Sequence, residues 1–288
     1  MSAETAHTPR IDLPGAEYIF GTTTGMRGIR KDVERALHDD LPVLIEGESG
    51  TGKEVIGRFL HRESKRRLGP FIKVNCGAVS ASVLDGEMFG SEVGAAGHAV
   101  EGKAGSIEMA SGGVLFLDEI GALDRALLQK LMRIFELGYY RRIGGKEDLL
   151  ARARLVCATS SDSEADGRKF PASLLDSFVH RVRLLPLRER KEDIPQLCEY
   201  LLEKFARAFG RPVPHLSGYV LEAFQLWKWP GNIRELENWI ARIVIFGTEE
   251  AIGLEFNRQL EAFVTPAPRQ HRATRTMVGR SRRVRRRI

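Results

Sequence analysis

"LIEGESGTGKE", Leu44–Glu54, is the stretch on which the reading of this chain turns. It opens on an apolar run, passes through Gly47, Glu48, Ser49, Gly50, Thr51 and Gly52, and closes on Lys53 and Glu54. Gly-x-x-x-x-Gly-Lys between a strand and a helix is the pattern of a phosphate loop. The glycines let backbone N–H groups turn inward around a β-phosphate, and the helix N-terminus adds partial positive charge. Lys53 is expected to reach the β- and γ-phosphates. A serine or threonine usually follows that lysine; here Glu54 does. Thr51 is the nearby hydroxyl, and its position alone does not assign it to Mg²⁺.

Further along, "GGVLFLDE" (Gly112–Glu119) places four apolar residues before two carboxylates. Such a run is a buried strand. Behind a phosphate loop, Asp118 is expected in the shell of a Mg²⁺ ion and Glu119 is expected to polarise an attacking water. Two other strand ends suit the same crevice at the carboxyl edge of a sheet. Asn75 ends "FIKVN", and Thr159 and Ser160 end "LVCATS". Arg234, in "WPGNIRELEN", is expected to reach a γ-phosphate from a separate helical segment.

Around these motifs, short apolar runs alternate with helical patterns. The runs are "PVLIEG", "FIKVNC", "VLFLDE", "ARLVCATS" and "VRLLPL"; helical patterns include Met26–Asp40, "KEVIGRFLHRESKRR" and "RALLQKLMRIFEL". Strand and helix in alternation predict an α/β unit with a mostly parallel, buried sheet over residues 19–190. From 191 to 256 the patterns are helical only, which predicts a small second unit. Residues 1–18 read as a loose leader, and 257–288 as a linker and tail without apolar periodicity.

The net charge of +6 conceals a division. Thr265–Ile288 holds nine arginines and no lysine or acid, so the other 264 residues sum to −3. The tail is suited to phosphate backbones of DNA without sequence preference. Cys76, Cys157 and Cys198 read as buried small hydrophobes. The seven histidines form no metal-ligand spacing. No apolar run reaches a membrane span and the first residues carry no signal-peptide pattern, so a cytoplasmic protein is expected.

Together, "GESGTGKE", "VNC", "GGVLFLDEIGAL", "PLRERKEDIP" and "WPGNIRELEN" resemble the AAA+ central domain of sigma-54-dependent transcription activators, the bacterial enhancer-binding proteins. The resemblance spans Phe20 to Phe256, and Glu54 is the family's own residue at its position. It implies a P-loop NTPase of three α/β/α layers with a helical lid. It also implies a hexameric ring, ATP with Mg²⁺, and remodelling of RNA polymerase that holds sigma-54. It matches Asn75 to the residue that couples the glutamate to a remodelling loop, and Arg234 to the lid sensor.

Several positions depart from the family. Gly94–Ala95–Ala96–Gly97–His98–Ala99 stands where the family has GAFTGA, its sigma-54 contact. The aromatic ring and the hydroxyl are missing, which implies that sigma-54 is not engaged in the family's manner. In "FPASLLDSF" the two finger arginines become Pro171 and Ser177; Arg168 and Arg181 stand nearby in a shifted register. A finger reaching a neighbour's ATP contributes about 10³–10⁵ in rate. Ser160 replaces a usual asparagine. Three readings follow: a working activator, a relative that binds ATP and acts by assembling with itself or an intact relative, and a different AAA+ activity that uses the basic tail.

Overall fold

The structure is a computed structural model; it describes residues 13–94, 102–160 and 172–250. Five parallel strands form the central sheet: β1 (Val43–Glu46), β2 (Phe71–Asn75), β3 (Val114–Asp118), β6 (Arg154–Thr159) and β7 (His180–Arg183). Their order is β2-β3-β6-β1-β7. Each strand is a run of large apolar residues because both faces are covered. On β3, Leu115 and Leu117 face one core, and Val114 and Phe116 face the other.

Helices α1 (Ala16–Phe20), α2 (Thr24–Arg35) and α3 (Lys53–Glu63) cover one face through Phe20, Met26, Val33, Ile56 and Leu60. Helices α4 (Ala81–Phe89), α5 (Ser106–Met109) and α6 (Arg125–Leu137) cover the other through Leu84, Phe89, Ile107, Leu127 and Leu131. Leu174 of the short α7 (Ala172–Asp176) joins that core. The result is the three-layer α/β/α arrangement expected from the alternation of strands and helices. α6 occupies the very span that "RALLQKLMRIFEL" predicts: Asp124 caps it, accepting Leu127 N–H at 2.8 Å, and Gly138 ends it.

Three expectations need correction. The last strand is His180–Arg183, displaced from "VRLLPL" toward the N-terminus. It pairs with β1, which ends at Glu46 opposite Arg183, and Pro186 beyond it has no N–H to continue the ladder. α2 stops at Arg35, short of Asp40. There the buried Arg154, 2% exposed, donates to Ala36 O at 2.5 Å and to Leu41 O at 3.2 Å, so the chain turns into β1. α3 stops at Glu63, and Ser64 Oγ closes the turn onto His61 O at 3.0 Å. An antiparallel pair, β4 (Tyr139–Tyr140) and β5 (Leu149–Leu150), lies between α6 and β6 and was too short to show a pattern.

The second unit has α8 (Ile194–Phe209), α9 (Gly218–Leu226) and α10 (Asn232–Phe246) around its own core of Leu201, Phe224, Trp229, Leu236 and Ile240. Trp227 and Trp229 are buried in this core: Trp229 Nε1–H donates to Phe224 O at 2.7 Å and Trp227 Nε1–H to Glu235 Oε1 at 2.9 Å. All three cysteines are buried and free; burial pushes the Cys76 and Cys198 thiols up to about 12.

Candidate nucleotide-binding site

The loop from Gly47 to Gly52 leaves β1 at the carboxyl edge of the sheet, beside the ends of β3 and β6. Gly50 and Gly52 take left-handed φ values of 78° and 98°, which other residues adopt at a cost. Thr51 folds inward, its Oγ1 donating to Glu48 O at 2.8 Å, so it closes the loop on itself. Lys53 begins α3 and is 7% exposed. Its Nζ donates to Gly47 O at 2.9 Å and Glu48 O at 3.3 Å. A buried ammonium held on loop carbonyls is a cation whose partners a phosphate can replace. That geometry fits a polyphosphate.

Register brings the carboxylates to the same edge: Asn75 lies opposite Asp118. Lys73, from the middle of β2, stands 3.2 Å from Asp118 Oδ2 and donates to Glu54 Oε2 at 2.6 Å. Arg58 completes the cluster, with Nε 2.8 Å from Glu54 Oε1. Burial alone would raise the Glu54 pKa, but the bonds from Lys73 and Arg58 outweigh it and hold the carboxyl below its ordinary value. Lys73 Nζ therefore bridges two oxygen-bearing side chains, Asp118 and Glu54. A hard divalent cation takes such ligands.

Glu119 sits at φ 54°, an uncommon conformation for a glutamate. Its carboxylate turns toward β6, where Ser160 Oγ donates to Oε1 at 2.6 Å and Ser160 N–H to Oε2 at 3.1 Å. Asn75, which the resemblance couples to this glutamate, instead accepts Gly77 N–H on Oδ1 at 3.0 Å. Thr159 ends β6, buried beside the same edge.

The helical unit reaches the loop directly. Ile233 N–H donates to Gly50 O at 3.0 Å and Arg234 N–H at 3.4 Å. Arg234 Nη1 donates to Ser49 Oγ at 3.3 Å, so this arginine does face the loop. Asn232, fully buried with φ 53°, donates to Ser49 O at 2.9 Å and Glu48 Oε2 at 3.2 Å, and accepts Leu187 N–H at 2.8 Å. Arg188 grips both oxygens of Glu48, at 2.7 and 2.6 Å. The cleft continues from Lys53 past Met26 to Tyr18 and Tyr200, whose rings stack at 4.6 Å.

Lys73, Arg188 and Asn232 escaped the sequence reading. A lysine inside an apolar strand was a signal, and Arg188 and Asn232 lay within quoted motifs without a role. Of the finger positions, Ser177 lies near Met132, its Oγ 4.0 Å from Sδ, and Arg181 pairs with Glu46 at 3.0 Å in its own chain. Gly94 is described, with φ 77°; Ala95, Ala96, Gly97, His98 and Ala99 lie outside the described residues, as do Arg168, Pro171 and the basic tail. No group of three or more His, Cys, Asp or Glu side chains placed to hold a metal ion, and no helix long and apolar enough to cross a membrane, occurs among the described residues.

Residues 19–186 match the family described as the sigma-54 interaction domain, and residues 188–273 match the AAA+ ATPase lid domain. Curated relatives include the response regulator protein PilR of Pseudomonas aeruginosa, 37% identical over 80% of this chain and 53% of that protein. The DNA-binding transcriptional regulator NtrC of Azospirillum brasilense is 38% identical over 86% of this chain and 52% of that protein. The chain thus spans about half the length of the curated relatives it matches. Among solved structures, NtrX of Brucella abortus in complex with ATP superposes with a TM-score of 0.76 at 27% identity, covering 91% of this chain and 58% of that one. Its complex with ADP gives 0.74 at 27% identity over 85% and 59%. On this evidence the chain belongs to the sigma-54 interaction domain family of AAA+ P-loop NTPases.

Proposed function

We propose that this chain binds ATP with Mg²⁺ between the Gly47–Lys53 loop and the helical unit, and serves as the nucleotide-driven segment of a sigma-54-type transcription regulator. The observation that carries this reading is Lys53. It is a buried ammonium on the loop carbonyls Gly47 O and Glu48 O, 3.5 Å from the carboxylate of Glu119 just past β3. In this reading Lys53 and the inward N–H groups of the loop hold the β- and γ-phosphates. Asp118, with Glu54 beside it, holds Mg²⁺, which when bound supplies neutralising charge to the phosphates. Glu119 orients water, Thr159 and Ser160 line the crevice, and Arg234 closes over the site from α10. Asn75, now bound to Gly77 N–H, couples Glu119 to the remodelling loop once nucleotide frees its side chain. The unit boundaries near 190 and 256 belong to the same proposal.

The relatives' names speak for transcription regulation. Assembly into a ring, a hexamer by family habit, would set one chain's site against its neighbour. The pairing of Arg181 with Glu46 and the position of Ser177 by Met132 favour a variant of this reading, in which a finger comes from an intact relative in a mixed ring. The Ala96–Gly97 change speaks against sigma-54 contact in the family's manner, and the arginine tail suits non-specific DNA contact. ATP turnover measured across protein concentrations, with Lys53→Ala as blank, tests all of this. Turnover rising with concentration supports a self-sufficient ring. Binding without turnover supports the mixed ring. No binding overturns the site.

A further inference from the structure

Around Glu119 lies an arrangement that the proposed reading does not use. Its carboxylate is bound on both oxygens by Ser160, through Oγ at 2.6 and 2.7 Å and through N–H at 3.1 Å. Lys53 Nζ stands 3.5 Å from Glu119 Oε1 and 3.4 Å from Ser160 Oγ. Three side chains from the start of α3 and the ends of β3 and β6 therefore close on one another: an ammonium, a carboxylate, and a hydroxyl that donates to one and accepts from the other. Lys53 is the cation that the phosphates require, so Glu119 and an incoming phosphate compete for the same ammonium. Ser160 decides which of them starts with the advantage. Without its hydroxyl, Glu119 keeps the Ser160 N–H and the longer contact to Lys53, and the side chain, one-third exposed already, turns more readily toward solvent.

We infer that Ser160 is a positioning residue that latches Glu119 onto Lys53, so that ATP binding must break this latch and thereby releases the carboxylate for water. The inference rests on the ATP reading above. It follows that removing the latch tightens nucleotide binding, the opposite of what a direct phosphate contact from Ser160 would give.

The test is equilibrium binding of a fluorescent, non-hydrolysable ATP analogue with Mg²⁺ to the full chain, followed by anisotropy. Ser160→Ala and Glu119→Gln should each bind about three- to tenfold more tightly than wild type. In the Glu119→Gln background, Ser160→Ala should add less than about twofold, because the shared interaction is already gone. Ser160→Thr keeps a hydroxyl and should stay near wild type, which separates a latch from a general loss of packing. Weaker binding by Ser160→Ala, or two independent and additive effects, overturns the latch. If Lys53→Ala binds as well as wild type, the ATP reading fails first, and the latch with it.

Discussion

Lys53 and Glu48 are neighbours on one loop and show how a single residue's role follows from its partners. Lys53 is buried and spends its donors on two carbonyls and on Ser160. Exchanging those for phosphate oxygens yields charge-assisted bonds, each contributing about 1.5–3 kcal/mol. Lys53→Ala should therefore weaken ATP-analogue binding by well over tenfold, as read by calorimetric titration, with little change in melting temperature. Glu48 is held by Arg188, with burial opposing and Asn232 adding a second bond; the outcome is a pKa below its ordinary 4.5. A depressed carboxylate contributes stability above its unfolded value and loses it as pH falls through the folded one. The stability gap between wild type and Glu48→Gln should hold steady from about pH 7 to 5 and close below 4.5. With Arg188 39% exposed, the gap should not exceed about 1 kcal/mol in urea titrations.

At the level of elements, the informative contact is the N-terminus of α10 on the phosphate loop. Two N–H groups that a helix start leaves without intrahelical partners, those of Ile233 and Arg234, donate to Gly50 O. Gly50 makes this approach possible twice over. Its φ of 78° suits glycine, and an added Cβ would lie inside contact distance of Gly231 O. Gly50→Ala should cost about 1–2 kcal/mol from the backbone alone, with the clash in addition. It should also part α10 from the loop. Thermal unfolding checks the first effect. The second appears as weaker ATP-analogue binding that accompanies the fall in melting temperature, whereas Lys53→Ala weakens binding without that fall.

Across the whole molecule, the N-terminal segment is tied to the helical unit by hydrogen bonds to a buried ion pair. Arg190 Nε lies 3.1 Å from Asp193 Oδ2, with the two side chains 2% and 1% exposed. Asp193 also accepts from Thr22 N at 2.7 Å and Thr23 N at 3.3 Å, at the start of α2, where the helix dipole favours an anion. Removing one partner strands the other charge, so Asp193→Ala should cost about 3–5 kcal/mol. Replacing both with apolar residues should recover most of it. Urea unfolding of the single and double variants measures this. Failure of the double variant to recover would mean that the threonine contacts dominate.

The sequence by itself determined the layers and the phosphate loop. Glycines, a lysine at a helix start and apolar runs of strand length are local signals, set by backbone sterics and by burial of both sheet faces. α6 falls on the span its pattern predicts, and Asp118, Glu119 and Lys53 meet at one edge of the sheet. Only the tertiary structure decided who holds whom. Lys73 reaches Glu54 and Asp118, Arg188 and Asn232 reach Glu48, and Ser160 rather than Asn75 takes Glu119. It also decided where β7 begins, since its register is set by the length of β1 and not by its own apolar residues. Those pairings join residues far apart in the chain, and a charged side chain takes whichever opposite partner the packed backbone brings within about 4 Å. Periodicity describes a segment's faces, whereas the distance between two strand ends exists only once the sheet has closed.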